Sequence, residues 1–209
     1  MSKIFLIRHA QTKWNKEEIF RGTIDIDLDE EGIQQSGLIA VALAEYDIEA
    51  VYASPLLRAV RTANAITEGR DISVVKVEGF NDMNLGKWQG KSLIKVEEEY
   101  PEIFRTWKEE PHKAKIPGGE TLNQLRKRTF STFLKVVNEN KKKNIAIVSH
   151  RVVNKILLLA ILDLPNSKFW DIRQDNACIN IIENEHDKFI ISLLNDRCHL
   201  SRSIALRDF

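Results

Sequence analysis

The chain's 209 residues form one expected domain, 1–209, long enough to enclose a sizeable core, and 43% apolar content with nine glycines and five prolines excludes collagen-like, linker and disordered classes. Thirty-one Lys and Arg against 30 Asp and Glu leave a net charge of +1, which argues against a polybasic nucleic-acid binder and an acidic tail. The longest apolar run, 156–162, is too short for about 30 Å of hydrocarbon, MSKIFLIRHA meets Arg8 and His9 before a signal core forms, and Cys178 and Cys198 make no ligand cluster; a soluble, cytoplasmic protein without a membrane partner is expected.

The first predicted element is a strand at 4–7, IFLI, and its counterpart lies at 145–148, IAIV. Both are continuously apolar rather than alternating, which suits parallel strands covered on both faces. Each run ends in one polar residue and a histidine: Arg8 and His9 in the first, Ser149 and His150 in the second. Ligands in open parallel sheets bind beyond the carboxyl ends of the strands, so both imidazoles are expected at one site edge.

Between them, 32–46 reads as a helix and 50–53 as a short strand. A helix at 55–67 has Ser54 as its expected cap and Pro55 at its first position. A strand is expected at 72–77, and helical pieces at 91–100 and 103–109, ended by Pro101 and Pro111. Thr121 and Gln124 form a capping box for the longest helix, running to about Asn140, where Lys141, Lys142 and Lys143 close it. An apolar helix at 152–162 follows, then strands at 177–183 and 188–194 joined by a polar turn at 184–187 that exposes His186. PHKAKIPGGET reads as a flap or a connection over the sheet, and HLSRSIALRDF as pocket wall, dimer contact or mobile tail, leaving a homodimer open.

Two strand-end histidines beside Arg8, with Arg58 in the first turn of a helix starting at the same edge, make an anion pocket, because guanidinium groups grip phosphate through paired charge-assisted bonds. One imidazole nitrogen could attack phosphorus while the other donors neutralise the equatorial oxygens. A leaving alkoxide needs a proton, and Asp82 in GFNDMNLGKWQG is the candidate acid and base: a carboxyl beside a phosphate dianion is pushed toward its protonated form.

These segments resemble the histidine phosphatase superfamily, the phosphoglycerate mutase-like family. Its opening RHGxTxWN is similar to RHAQTKWN at 8–15, with Ala10 for the usual glycine; RGTID, LDEEGIQQS, SPLLRAVRTA, PGGETL and VSH continue the likeness in order along nearly the whole chain. The resemblance implies an α/β fold, a three-layer α/β/α sandwich with a mostly parallel central sheet. It also implies a phosphorylated nucleophile at His9, a phosphate-binding group of Arg8, Arg58 and His150, and a phosphoryl contact from Asn15. Asp82 stands where the family commonly has glutamate, and Arg151 replaces a common glycine, with its side chain expected to turn away from His150.

The stretch between Gly90 and Pro117 lacks the longer insertion of a mutase, so the resemblance implies a phosphatase acting on a small-molecule phosphate monoester, with no metal and no cofactor. The alternatives are a cofactor-dependent phosphoglycerate mutase and a catalytically silent phosphate-binding module. WKEEPHK, KFW, DNA and CHL resemble the metal-independent phosphoserine phosphatases, which tend to carry histidine where this chain has Leu85. Arg21 stands where related phosphatases often have glutamine and is assigned to substrate binding, as the partner of a second anionic group. Glu120 is assigned to substrate binding as well, against the alternative of an acidic residue beside the helix start. His112 and His199 are read as substrate contacts or packing residues, and the four tryptophans as core or pocket wall.

Overall fold

The computed structural model describes residues 2–185 and 188–200. Its single six-stranded sheet has the order β3-β2-β4-β1-β5-β6. The strands are β1 (Ser2–Arg8), β2 (Ala50–Ala53), β3 (Val74–Lys76), β4 (Ile145–Ser149), β5 (Ile179–Glu185) and β6 (Lys188–Asp196). The first four lie parallel, and β5 and β6 add an antiparallel edge beside β1.

Alternation along the buried strands builds two cores. Ile4, Leu6, Ile145 and Ile147 face one layer, where α5 (Pro101–Glu109), α6 (Leu122–Glu139) and α7 (Arg151–Ile161) supply Trp107, Phe133 and Leu157. Phe5, Ile7, Ala146 and Val148 face the other, against α2 (Glu30–Ala42) and α3 (Leu57–Thr67). This is the three-layer arrangement expected of apolar, doubly covered parallel strands. Trp88 lies in the first core, edge-on to Phe104 and Trp107.

Local chemistry moves several boundaries from their expected places. Asp29 accepts the Gly32 amide at 2.8 Å and starts α2 two residues early. Arg70 takes the Leu43 and Tyr46 carbonyls at 2.7 and 2.9 Å, which ends the helix at Ala42 rather than 46. α4 (Leu93–Glu99) stops just before Pro101, as expected, and the same proline opens α5, a position where its missing N–H costs nothing. Ala177, with φ 58°, turns the chain before β5, so that strand starts at Ile179 instead of 177. The Thr121–Gln124 capping box opens α6 as expected, and Asn140 ends it by donating to the Tyr52 hydroxyl. His186 in the β5–β6 connection and the 201–209 part of HLSRSIALRDF lie outside the described residues.

Candidate active site

β1 and β4 pair in register from Ile4–Ile145 to Arg8–Ser149. The amide of His9 then donates to the Ser149 carbonyl at 2.9 Å, extending the ladder by one residue. His150 follows Ser149 as the N-cap residue of α7. The two rings therefore stand side by side over adjacent strand ends, 5.3 Å between centroids. The short bond between His9 Nδ1 and the Ala10 carbonyl, 2.6 Å, sets the tautomer: a carbonyl only accepts, so Nδ1 carries the proton and Nε2 keeps its lone pair.

Arg8 is held by a bond from its NH1 to the Gln174 carbonyl at 2.8 Å. Arg58 comes from the first turn of α3, but the start of that helix departs from expectation. Leu56 is the N-cap residue, and the Leu57 amide is taken by the Asp25 carboxylate at 2.8 Å, so Ser54 and Pro55 lie outside the helix. The anion at this helix start is thus Asp25 of the protein itself. Arg58 reaches the Gly22 and Ile24 carbonyls at 2.8 and 2.9 Å and the Asp82 carboxylate at 3.2 Å. Gly22 turns there at φ +52°, and a Cβ would stand 2.1 Å from the Gln89 amide oxygen.

Asp82 follows a 3₁₀ turn at Glu78–Phe80, and its Oδ2 lies 3.6 Å from His150 Nδ1. Oδ1 accepts the Met83 amide at 2.9 Å. His9, Asp82 and His150, with Arg8 and Arg58, thus form one buried cluster.

Burial holds the His9 imidazole well below the ordinary histidine range, and the guanidinium groups of Arg58, Arg8 and Arg21 push the same way. For His150, burial is again the largest cause; Asp82 opposes it, but Arg58, Arg21 and Arg8 add to it and the ring falls to about 3. Both rings are neutral at pH 7, which leaves a lone pair available for attack. Burial alone would raise Asp82, but the Arg58 and Arg21 guanidinium groups and the Met83 amide act against it, and the carboxyl sits below its usual range. The site's own charges therefore hold Asp82 ionised, and its acid form has to come with an added negative charge.

Asn15 serves two purposes. Its Oδ1 accepts from the Thr12 amide and hydroxyl at 2.9 and 2.8 Å, capping the short α1 (Lys13–Lys16), while its buried Nδ2 has no partner among the described residues. Asn15 lines a cavity with Trp14, Glu18, Arg21 and Arg151. Arg151 is on the same cavity wall, whose lining does not include His150. Glu120 joins a different arrangement, since both its oxygens are taken by Arg128 at 2.8 and 2.9 Å. His112 and His199 line two other surface hollows. Leu85 is packed in the core. Sequence reasoning missed Arg128, whose only local signal is its place two turns after PGGETL, and Thr62, which accepts the Ala10 amide and donates to the Arg58 carbonyl.

Residues 4–197 match the model of the histidine phosphatase superfamily, branch 1. The chain belongs to this superfamily. Among its relatives, phosphoserine phosphatase 1 of Hydrogenobacter thermophilus is 36% identical over 200 residues, covering 96% of this chain and 95% of the relative. A metal-independent phosphoserine phosphatase of Arabidopsis thaliana is 29% identical, with 96% and 84% covered. The solved structure of Bacillus stearothermophilus YhfR superimposes with a TM-score of 0.92 at 28% identity, covering 96% of this chain and all of that one. An Entamoeba histolytica phosphoserine phosphatase carrying H9A, in complex with phosphoserine, gives 0.85 at 25% identity and the same coverage. This histidine phosphatase is accordingly a phosphomonoesterase, a reading favoured over a mutase or a silent binding module. Among its described residues, no helix is long and apolar enough to cross a membrane.

Proposed function

We propose that this phosphatase transfers the phosphoryl group of its substrate first to Nε2 of His9 and then to water, without a metal ion. The observation that carries the reading is the His9 Nδ1 bond to the Ala10 carbonyl, which leaves the Nε2 lone pair on a neutral, buried ring. In the first step the Nε2–P bond forms as the bond from phosphorus to the ester oxygen breaks, and Asp82 gives the leaving oxygen its proton. In the second, water attacks phosphorus, returns a proton to Asp82 and releases inorganic phosphate as the N–P bond breaks. Arg8, Arg58, His150 and Asn15 hold the phosphoryl oxygens, supplying the donors and positive charge that the transition state requires. A phosphate dianion near Asp82 raises its pKa, so the proton enters with the substrate.

The substrates are small monoesters with a second anionic group, and phosphoserine is the first to test. Arg21 and Arg151 line the cavity next to Asn15 and offer guanidinium groups to a carboxylate, while Glu18 on the same wall is available to an ammonium group. The phosphoserine phosphatases among the relatives point the same way. Rapid alkaline quenching during turnover, followed by peptide mass spectrometry, should find the phosphate on His9. An adduct elsewhere, or turnover with none, overturns the reading.

A further inference from the structure

Arg128, on the second turn of α6, spends all five guanidinium N–H groups on two tasks. Nε and NH2 donate to the Glu120 carboxylate at 2.8 and 2.9 Å. NH1 donates to the Gly79 and Asn81 carbonyls at 3.1 and 2.9 Å, and NH2 also donates to the Asp82 carbonyl at 2.9 Å. The remaining carbonyl of this stretch, Phe80, accepts the Ser149 hydroxyl at 2.7 Å. Every main-chain oxygen from 79 to 82 is therefore bonded to a side chain rooted on α6 or β4. Glu120 orients the fork, and its own amide donates to the Asn84 carbonyl at 2.7 Å on the far side of Asp82.

Aspartate has one methylene between its backbone and its carboxyl, so the placement of the main chain sets where Oδ2 stands. A displacement of about 1 Å at a reacting group can cost about a hundredfold in rate. We infer that Arg128 is the positioning residue for Asp82: its guanidinium fork, aligned by Glu120, fixes the 79–82 main chain so that this short acid reaches the space between Arg58 and His150. The inference rests on Asp82 being the proton donor. It assigns Arg128 no contact with substrate, and it assigns Glu120 to the fork rather than to substrate binding.

The test uses an ester that needs the acid, phosphoserine, and one that does not, p-nitrophenyl phosphate, whose leaving group departs without a proton. Read in a single turnover, where only the first step counts, R128A should slow cleavage of phosphoserine by about tenfold or more with its affinity within about twofold, and change the p-nitrophenolate burst rate by less than about threefold. R128K should resemble R128A, because an ammonium cannot reproduce the planar fork, and it carries the comparison if R128A fails to fold. Adding D82E to either variant should recover part of the phosphoserine rate, since the extra methylene replaces lost backbone placement. Equal losses on both esters, or no recovery with D82E, would overturn the inference and leave Arg128 a stabilising residue only. D82N in the otherwise intact enzyme separates the two claims: unchanged phosphoserine turnover removes the acid assignment and this inference with it, whereas a selective loss on phosphoserine keeps the assignment and makes the Arg128 variants decisive.

Discussion

The His9 amide donates to the Ser149 carbonyl at 2.9 Å, one step beyond the last Arg8–Ser149 register pair of β1 and β4. Parallel neighbours lie about 4.8 Å apart, and the two imidazole rings, carried on the residues just past those strand ends, stand at 5.3 Å. Ring separation is thus set by the ladder and its two covered faces, not by flexible loops, which suits the proposed transfer of a phosphoryl group at His9 beside His150.

His9→Ala should abolish turnover, lowering kcat by about 10⁴-fold or more, while phosphate or vanadate still binds through Arg8, Arg58 and His150. Isothermal titration beside steady-state kinetics checks both. His150→Ala should weaken oxyanion binding as well as rate; a variant that slows turnover with vanadate affinity intact would take His150 out of the phosphate-binding group.

Because its surroundings hold Asp82 ionised, binding of a phosphate dianion should draw in a proton at pH 7 to 8. The binding enthalpy should then vary with the ionisation enthalpy of the buffer, and D82N should remove most of that variation. In the first, ester-cleaving step, D82N should slow alkyl phosphates by about 10²–10⁴-fold and aryl phosphates with good leaving groups far less.

Stability should fall on the acid side. The folded-state pKa values of His9 and His150 lie below the unfolded value of about 6.5, so the unfolded chain binds more protons as pH drops through that value. Each ring adds a slope of up to about 1.4 kcal/mol per pH unit below pH 6.5, and the depressed Asp82 adds to the loss below about pH 4. Thermal melts from pH 7.5 to 5 should show the decline, and H150N should make it shallower; an unchanged slope would contradict the buried neutral ring.

If Arg21 and Arg151 recognise a second anion, R21A and R151A should reduce kcat/KM for phosphoserine by about tenfold, equivalent to about 1.4 kcal/mol, and leave an uncharged alkyl phosphate within about threefold. Equal losses for both substrates would place these arginines with the phosphoryl group instead.

Gly86→Ala should destabilise the enzyme by about 1–3 kcal/mol, because φ is +49° there and a Cβ would stand 2.2 Å from the Pro117 carbonyl oxygen. The same contact joins the Asp82 loop to the 117–119 segment, so kcat on phosphoserine should fall as well. Chemical denaturation together with turnover measures the two effects.

Reading the chain alone located the four parallel strands, the capping box at Thr121 and the cluster of Arg8, His9, Arg58, Asp82 and His150, because apolar periodicity, strand-end placement and short motifs are written in neighbouring residues. It misplaced the start of α3, since the carboxylate that takes the first helical amide is that of Asp25, far away in the chain. It also missed Arg128, whose partners at Gly79, Asn81 and Asp82 lie 46 to 49 positions earlier and are backbone oxygens, which no residue type reveals. What the sequence determined by itself was which ionisable side chains are brought together and the strand ends that carry them. What only the tertiary structure decided was their charge state and aim: burial beside three guanidinium groups keeps the two rings neutral, and long-range bonds to the main chain turn a short carboxylate toward them.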